Sequence, residues 1–183
     1  MMNLSRRRSA EALPEGSEDL PFALKELLKG AGARGVPVLD VEGVNADSRS
    51  VATGEAFFAL PGMRVHGDSF AAQAVGRGAT AMVTDRVPQA DPGIPVVMVK
   101  DVRAAYARAA ARQFSPQPRV AAAVTGTNGK SSVVSFVRQI WAASGINAAS
   151  LGTVGIETSA GIRPQELTTS DPLLLHRDLA GLK

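Results

Sequence analysis

The 183-residue sequence predicts an α/β protein in two parts: a small mixed α/β N-terminal domain, then the beginning of a second α/β domain. Three observations lead there. Between residues 21 and 114, short runs rich in Val, Phe and Met alternate with alanine-rich segments of helical spacing. Pro116 and Pro118 then stop that pattern. It restarts as an apolar run, a glycine-rich loop and an amphipathic segment, in AAAVTGTNGKSSVVSFVRQIWAASG at 121–145.

Composition narrows the function classes. Hydrophobic residues make up 45% and charged residues 20%, the balance of a globular chain with a buried core. The sequence has no cysteine, which excludes disulfides and thiolate chemistry and is compatible with a reducing cytoplasm. No apolar stretch reaches the ~20 residues a membrane span needs, so no membrane partner is expected. A net charge of +3 is mild. The triplet Arg6–Arg8 is offset by Glu15, Glu18 and Asp19, and no apolar core follows it as a secretory signal requires. Residues 1–20 therefore read as a flexible leader, and no nucleic-acid partner is expected.

The elements follow in order. In FALKELLKGAG, Phe22, Leu24, Leu27 and Leu28 fall at helical spacing, and Gly30 and Gly32 offer a C-cap. GEAFFAL (54–60), TAMVTD (80–85) and PVVMVK (95–100) read as short buried strands. SFAAQAVGRGA (69–79), between the first two, is a small-residue helix closed by glycine, and DVRAAYARAAARQF (101–114) is a helix with Asp101 as N-cap candidate. SPQPR (115–119) is a linker. VAAAV (120–124) is expected to be a strand, and Val133, Phe136, Val137, Ile140 and Trp141 to form the sheet-facing stripe of the following helix, with Gly145 as its stop. Near the end, Ser170 or Asp171 can cap a helix that begins at Pro172.

The loop TGTNGKSS, 125–132, carries chemistry. Gly126 and Gly129 lack Cβ, so the backbone can take unusual torsions and turn its N–H groups toward an anion. A helix starting near Lys130 adds its unpaired N–H groups and positive dipole end. Lys130 supplies a full charge for terminal phosphates and Ser131 a hydroxyl for Mg²⁺. The competing reading is a plain glycine turn with a solvated lysine. The coincidence of strand, loop, Lys–Ser pair and amphipathic helix favours a nucleoside triphosphate site. Val124 stands where the general phosphate-loop pattern has a glycine.

TGTNGKS without that first glycine resembles the ATP loop of the Mur ligase family, the amide-forming enzymes of peptidoglycan assembly. NADSRSVATGEAFFALPGMRVHGDSFAAQAVGRGATAMVTD (45–85) resembles the family's N-terminal nucleotide-sugar domain. SLGTVG (150–155) and LTTSD (167–171) resemble the members that add the third residue of the stem peptide. The resemblance covers about residues 20–183. It implies a UDP-sugar-binding domain at 21–114, a linker at 115–119, and at 120–183 the beginning of a phosphate-loop, doubly wound central domain.

By that resemblance Gly126, Thr127, Asn128, Gly129, Lys130, Ser131 and Ser132 bind ATP, Lys130 is catalytic and Ser131 holds Mg²⁺. Ala46, Ser48, Met63, Arg64, Val65, Thr168 and Thr169 match positions that contact UDP-N-acetylmuramoyl-L-alanyl-D-glutamate. Taken alone, DSR at 47–49 is a polar turn in which Asp47 and Ser48 bond their own backbone. His66 and His176 have no second ligand at metal-binding spacing and read as surface or helix-face histidines.

The implied reaction joins diaminopimelate or lysine to the D-glutamyl γ-carboxyl through an acyl phosphate, in the cytoplasm, by a monomer. The family has three domains, so the resemblance also implies that a chain of this length lacks the amino-acid-binding domain and does not turn over by itself. Two alternatives accompany it: a non-catalytic UDP-sugar-binding module, and the related ligase that adds D-Ala-D-Ala. A small kinase is disfavoured, because a sugar-nucleotide pattern precedes the loop.

Overall fold

The computed structural model describes residues 21–164 and 171–182. The chain divides into two compact units, Met1–Ser115 and Pro116–Lys183. In the first, β1 (Phe22–Ala23) pairs antiparallel with β2 (Asp40–Val41), in register Phe22 to Val41. Four parallel strands follow in spatial order: β3 (Gly43–Asn45), β4 (Glu55–Phe58), β5 (Ala81–Thr84) and β6 (Val96–Met98). The helices are α1 (Leu24–Leu27), α2 (Ala71–Gly76), led in by a 3₁₀ turn at Gly67–Phe70, and α3 (Val102–Gln113).

A parallel sheet must be covered on both faces, so its strands are apolar throughout rather than alternating. Every residue of β5 is buried, Thr84 included. Phe57 and Met82 pack with Val51, Ala71, Ala74 and Ala79, which places α2 over one face. Phe58, one residue on, points to the opposite face and meets Tyr106 of α3 with ring centroids 5.3 Å apart. Leu24, Leu27, Ala105, Tyr106 and Ala109 are all buried, where α1 lies beside α3. Asp101 caps α3 by accepting from the Ala104 N–H at 2.9 Å. At its other end Gln113 Oε1 accepts from the Val44 N–H, which satisfies an edge-strand donor. Arg112 donates to the carbonyls of Leu27 and Lys29 and Arg108 to that of Gly30, covering orphan acceptors at the end of α1.

Two differences from the sequence reading concern this unit. Phe22 is not on the first helix but on β1, because pairing with Val41 satisfies its backbone; α1 keeps only Leu24–Leu27. Strands β2 and β3, in DVEGVN, have too short an apolar run to be read as strands in advance.

The second unit holds α4 (Lys130–Ala143), an antiparallel meander of β7 (Ser150–Gly152), β8 (Gly155–Thr158) and β9 (Gly161–Arg163), and α5 (Pro172–Ala180). Asp171 caps α5, accepting from the Leu173 N–H at 2.8 Å, with Pro172 in the first turn; Ser170 lies outside the described residues. Two expectations fail here. VAAAV forms no strand, since among the described residues no other strand pairs with it. The apolar stripe of α4 is not buried: Val137 and Trp141 are half-buried, Val133 is 46% exposed, and Phe136 and Ile140 are both 62% exposed. The meander is only three short strands, and α4 packs beside β7 along one side. Ile156 is the one apolar side chain beyond Ser115 among the described buried core residues.

Truncating the buried ring that joins the sheet to α3 isolates this asymmetry. Phe58→Ala should destabilise the first unit by about 3–5 kcal/mol. Amide exchange in β4 and β5 should accelerate by orders of magnitude, with little change in the amides of α4.

Candidate functional site

Two groups of residues concentrate polar chemistry, one in each unit. In the second unit the loop is shaped by torsion rather than by packing. Gly126 has φ +146° and Gly129 has φ +77°, yet a Cβ at Gly129 would meet nothing within 4 Å and one at Gly126 only the Asn128 carbonyl oxygen at 4.0 Å. Glycine is needed there for its backbone freedom. Gly129 is also the N-cap of α4, and having no side chain it leaves the first-turn N–H groups without a side-chain cap. Lys130 curls back over the loop, donating through Nζ to the carbonyls of Gly126 at 2.5 Å and Thr127 at 3.3 Å. Ser131 Oγ lies 3.5 Å from Thr153 Oγ1 in the turn between β7 and β8. Thr127, Asn128 and Ser132 are exposed, as are Lys130 and Ser131.

This arrangement gathers, on an exposed loop, an ammonium group, two hydroxyls and a helix start without a side-chain cap. It suits a polyphosphate. It also suits a hard cation that arrives on phosphates, because Mg²⁺ keeps its waters and needs few protein oxygens. Among the described residues no three His, Cys, Asp or Glu side chains gather to hold a metal unaided.

In the first unit the polar residues stand at the carboxyl ends of the parallel strands, the edge where ligands bind in open α/β sheets. Asn45 ends β3 and organises the turn after it. Its Oδ1 accepts from the Asp47 N–H, and its Nδ2 donates to the Ser50 carbonyl and to Glu55. Asp47 accepts from the N–H and the guanidinium of Arg49, which holds its carboxyl below the usual range. Ser48 is buried and donates to Gln73 Oε1 of α2 at 2.6 Å, so it does not bond its own backbone. Ala46 beside it is half-buried.

After β4 the chain makes a tight turn. Pro61 and His66 bridge, and the Gly62 N–H donates to the Val65 carbonyl at 3.2 Å. Met63 and Arg64 project from its tip, Met63 fully exposed and Val65 49% exposed. The Val65–His66 boundary divides an exposed tip from a buried base. The His66 side chain is only 9% exposed, contrary to the expectation of a surface histidine. Its Nε2 donates to Asp85 Oδ1 at 2.9 Å, and its Nδ1 lies 3.0 Å from Asp68 Oδ1 and 3.2 Å from the Asp68 amide nitrogen. Arg86 grips Asp68 with two hydrogen bonds, Nε to Oδ2 at 3.0 Å and Nη2 to Oδ1 at 2.6 Å. Arg86 first, then His66, holds the Asp68 carboxyl below its ordinary value.

Ala46, Ser48, Met63, Arg64 and Val65, named from the resemblance as substrate contacts, fall on this edge; Asp68, Gln73, Asp85 and Arg86 were not singled out. Only the HGD and DR pairs hinted at them, since the partners lie 18–25 positions apart. Thr168 and Thr169 lie outside the described residues. His176 of α5 is a helix-face histidine as expected: Gln117 Nε2 donates to its carbonyl, its Nδ1 lies 3.0 Å from Gln117 Oε1, and burial lowers its pKa.

A parallel sheet covered by helices on both faces, followed by a second unit in which a glycine loop opens a helix, defines an α/β protein. Residues 40–124 match the catalytic domain of the Mur ligase family and residues 124–183 match the Mur ligase middle domain. The chain belongs to the Mur ligase family. It is similar to the UDP-N-acetylmuramoyl-L-alanyl-D-glutamate–2,6-diaminopimelate ligase of Brucella melitensis biotype 1, with 46% identity over 145 residues, 79% of this chain and 30% of that protein. The ligase of the same name from Agrobacterium fabrum is 41% identical over 181 residues, 99% of this chain and 34% of that protein. A solved structure of a ligase of this name shares the fold, with TM-score 0.70 at 24% identity over 88% of this chain and 34% of that one. The chain spans about a third of the length of the curated relatives it matches.

The Asp68 pair sets an acid limit for the first unit. A carboxyl whose folded pKa lies below the unfolded value of 3.8 contributes stability that is present above that value and lost as pH falls through the folded one. Melting temperature should therefore drop more steeply between pH 5 and pH 3 in the parent chain than in Asp68→Asn. At pH 7 the variant should be less stable by about 2 kcal/mol, the cost of a charged hydrogen-bond pair.

Proposed function

We propose that this chain carries the nucleotide-sugar unit and the ATP loop of an ATP-dependent, amide-forming ligase of peptidoglycan precursor synthesis. The substrate is UDP-N-acetylmuramoyl-L-alanyl-D-glutamate and the amino acid added is 2,6-diaminopimelate. The observation that supports this most is likeness across both units to relatives bearing that substrate and that amino acid in their names, up to 99% of this chain. Those names also favour diaminopimelate over lysine.

In this reading residues 21–114 hold the sugar nucleotide, 115–119 link the domains, and 120–183 open the ATP domain. ATP supplies the phosphoryl group that turns the D-glutamyl γ-carboxyl into a good acyl donor, and phosphate leaves when the amine attacks. The chain's own part is placement and charge. Lys130 swings from the Gly126 and Thr127 carbonyls to the phosphates, and the first N–H groups of α4 hold their oxygens. Ser131, with Thr153 beside it, offers the hydroxyl that would hold Mg²⁺. Ala46, Ser48 and Met63–Val65 take the uridine end, and Thr168 with Thr169 takes the dipeptide. The setting is the cytoplasm, in service of cell-wall growth and division, and the chain acts as a monomer.

Calorimetry on the purified chain tests this. Lys130→Ala should lower affinity for MgATP by about tenfold or more, the worth of a charge-assisted contact, and leave sugar-nucleotide affinity intact. Its melting temperature should match the parent's, because Lys130 is exposed. Equal MgATP binding by parent and variant rejects the loop's role. Heat from the sugar nucleotide alone would identify a binding module instead.

A further inference from the structure

We propose that His66 is a positioning residue for the sugar-nucleotide site: it ties the turn bearing Met63–Val65 to the end of β5, so that the tip is held outward in a fixed pose. The proposal rests on the reading that this turn contacts the sugar nucleotide, and it assigns a role to His66, Asp68, Asp85 and Arg86, which that reading leaves without one.

The turn is built like a rigid bracket. Its backbone closes through the Pro61–His66 bridge, the Gly62 to Val65 hydrogen bond, and a Gly67 N–H donated to the Leu60 carbonyl at 2.9 Å. Both glycines are obligatory. A Cβ at Gly62 would lie 2.4 Å from the Val65 oxygen, and one at Gly67 would lie 2.7 Å from the Leu60 nitrogen. Arg103 of α3 donates to the Pro61 carbonyl from outside.

On its far side the bracket is fixed to the end of β5 twice, by His66 to Asp85 and by Arg86 to Asp68. One ring nitrogen reaches Asp85, the first residue after β5, and the other reaches Asp68, whose side chain is 1% exposed and clasped by Arg86. The imidazole thereby joins the turn after β4 to the step after β5, beside the Arg86–Asp68 pair. The apolar tip gains nothing from this order by itself, since Met63 is fully exposed. An exposed Met and Val on a braced turn are arranged for contact with something outside the chain, and bracing lowers the entropy lost when they make it.

The test uses the full chain with His66→Ala, His66→Gln and Asp85→Ala. Arg64 makes the tip a trypsin site, so native-state cleavage at Arg64–Val65, followed by mass spectrometry, reports the bracket without any ligand. Cleavage there should rise at least tenfold in His66→Ala and Asp85→Ala, which lack the donor and the acceptor, with cleavage at Arg49 and Arg119 unchanged. Calorimetry should show UDP-N-acetylmuramoyl-L-alanyl-D-glutamate bound at least tenfold more weakly, with MgATP affinity unchanged. His66→Gln, which can still donate to Asp85, should recover most of both. Unchanged cleavage at Arg64, or equal acceleration at all three arginines, overturns the proposal. So does accelerated cleavage with sugar-nucleotide affinity intact. If the parent chain binds no sugar nucleotide while Arg64 is still released, the ligand reading of the turn is what fails, and the tether itself is supported.

Discussion

Two-sided burial of the parallel sheet is the constraint from which the rest of the first unit follows. Parallel strands leave no solvated face, so α2 must cover Phe57 and Met82, while α1 and α3 must cover Phe58 and its neighbours. With both faces closed, only the strand ends remain for polar chemistry. The carboxyl ends receive the Asn45 turn, the Pro61–His66 turn and the Asp85–Arg86 step, and each is knitted by side-chain hydrogen bonds because no regular ladder continues there. Position on the sheet edge, more than any single residue, makes this end of the unit fit for a ligand.

The second unit has the opposite character. Its glycine loop and helix are well formed locally, from αL torsions at Gly129 through a full 14-residue helix. Its apolar stripe nevertheless finds little to bury against, and the meander contributes one fully buried apolar side chain, Ile156. Local rules set the loop and the helix start; tertiary burial, which usually supplies most of a helix's stability, is sparse among the described residues.

The same contrast explains what could be read from the sequence. GEAFFAL, TAMVTD and PVVMVK became β4, β5 and β6, because a continuous apolar run between turn signals has few other outcomes in an alternating chain. The Asp101 cap was legible for a local reason, a side chain accepting from an N–H three residues on. VAAAV had the composition of a strand, but a strand exists only through a partner, and composition does not say whether one is present. Phe22 fitted helical spacing until pairing with Val41, nineteen residues away, took its backbone instead. The glycine loop opening α4 was readable because its signals, two glycines directly before an amphipathic run, are contiguous. His66 was misread because its partners, Asp68 aside, come from a different strand.

The geometry of the Pro61–His66 turn separates what can vary from what cannot. Gly62 and Gly67 admit no Cβ, and His66 is held on both ring nitrogens, so the frame tolerates little change. Met63, Arg64 and Val65 touch so little of the protein that their side chains are free to be rewritten. A combinatorial library confined to those three codons would sample new surfaces on an unaltered scaffold, which makes this short turn a natural graft point for engineering altered recognition.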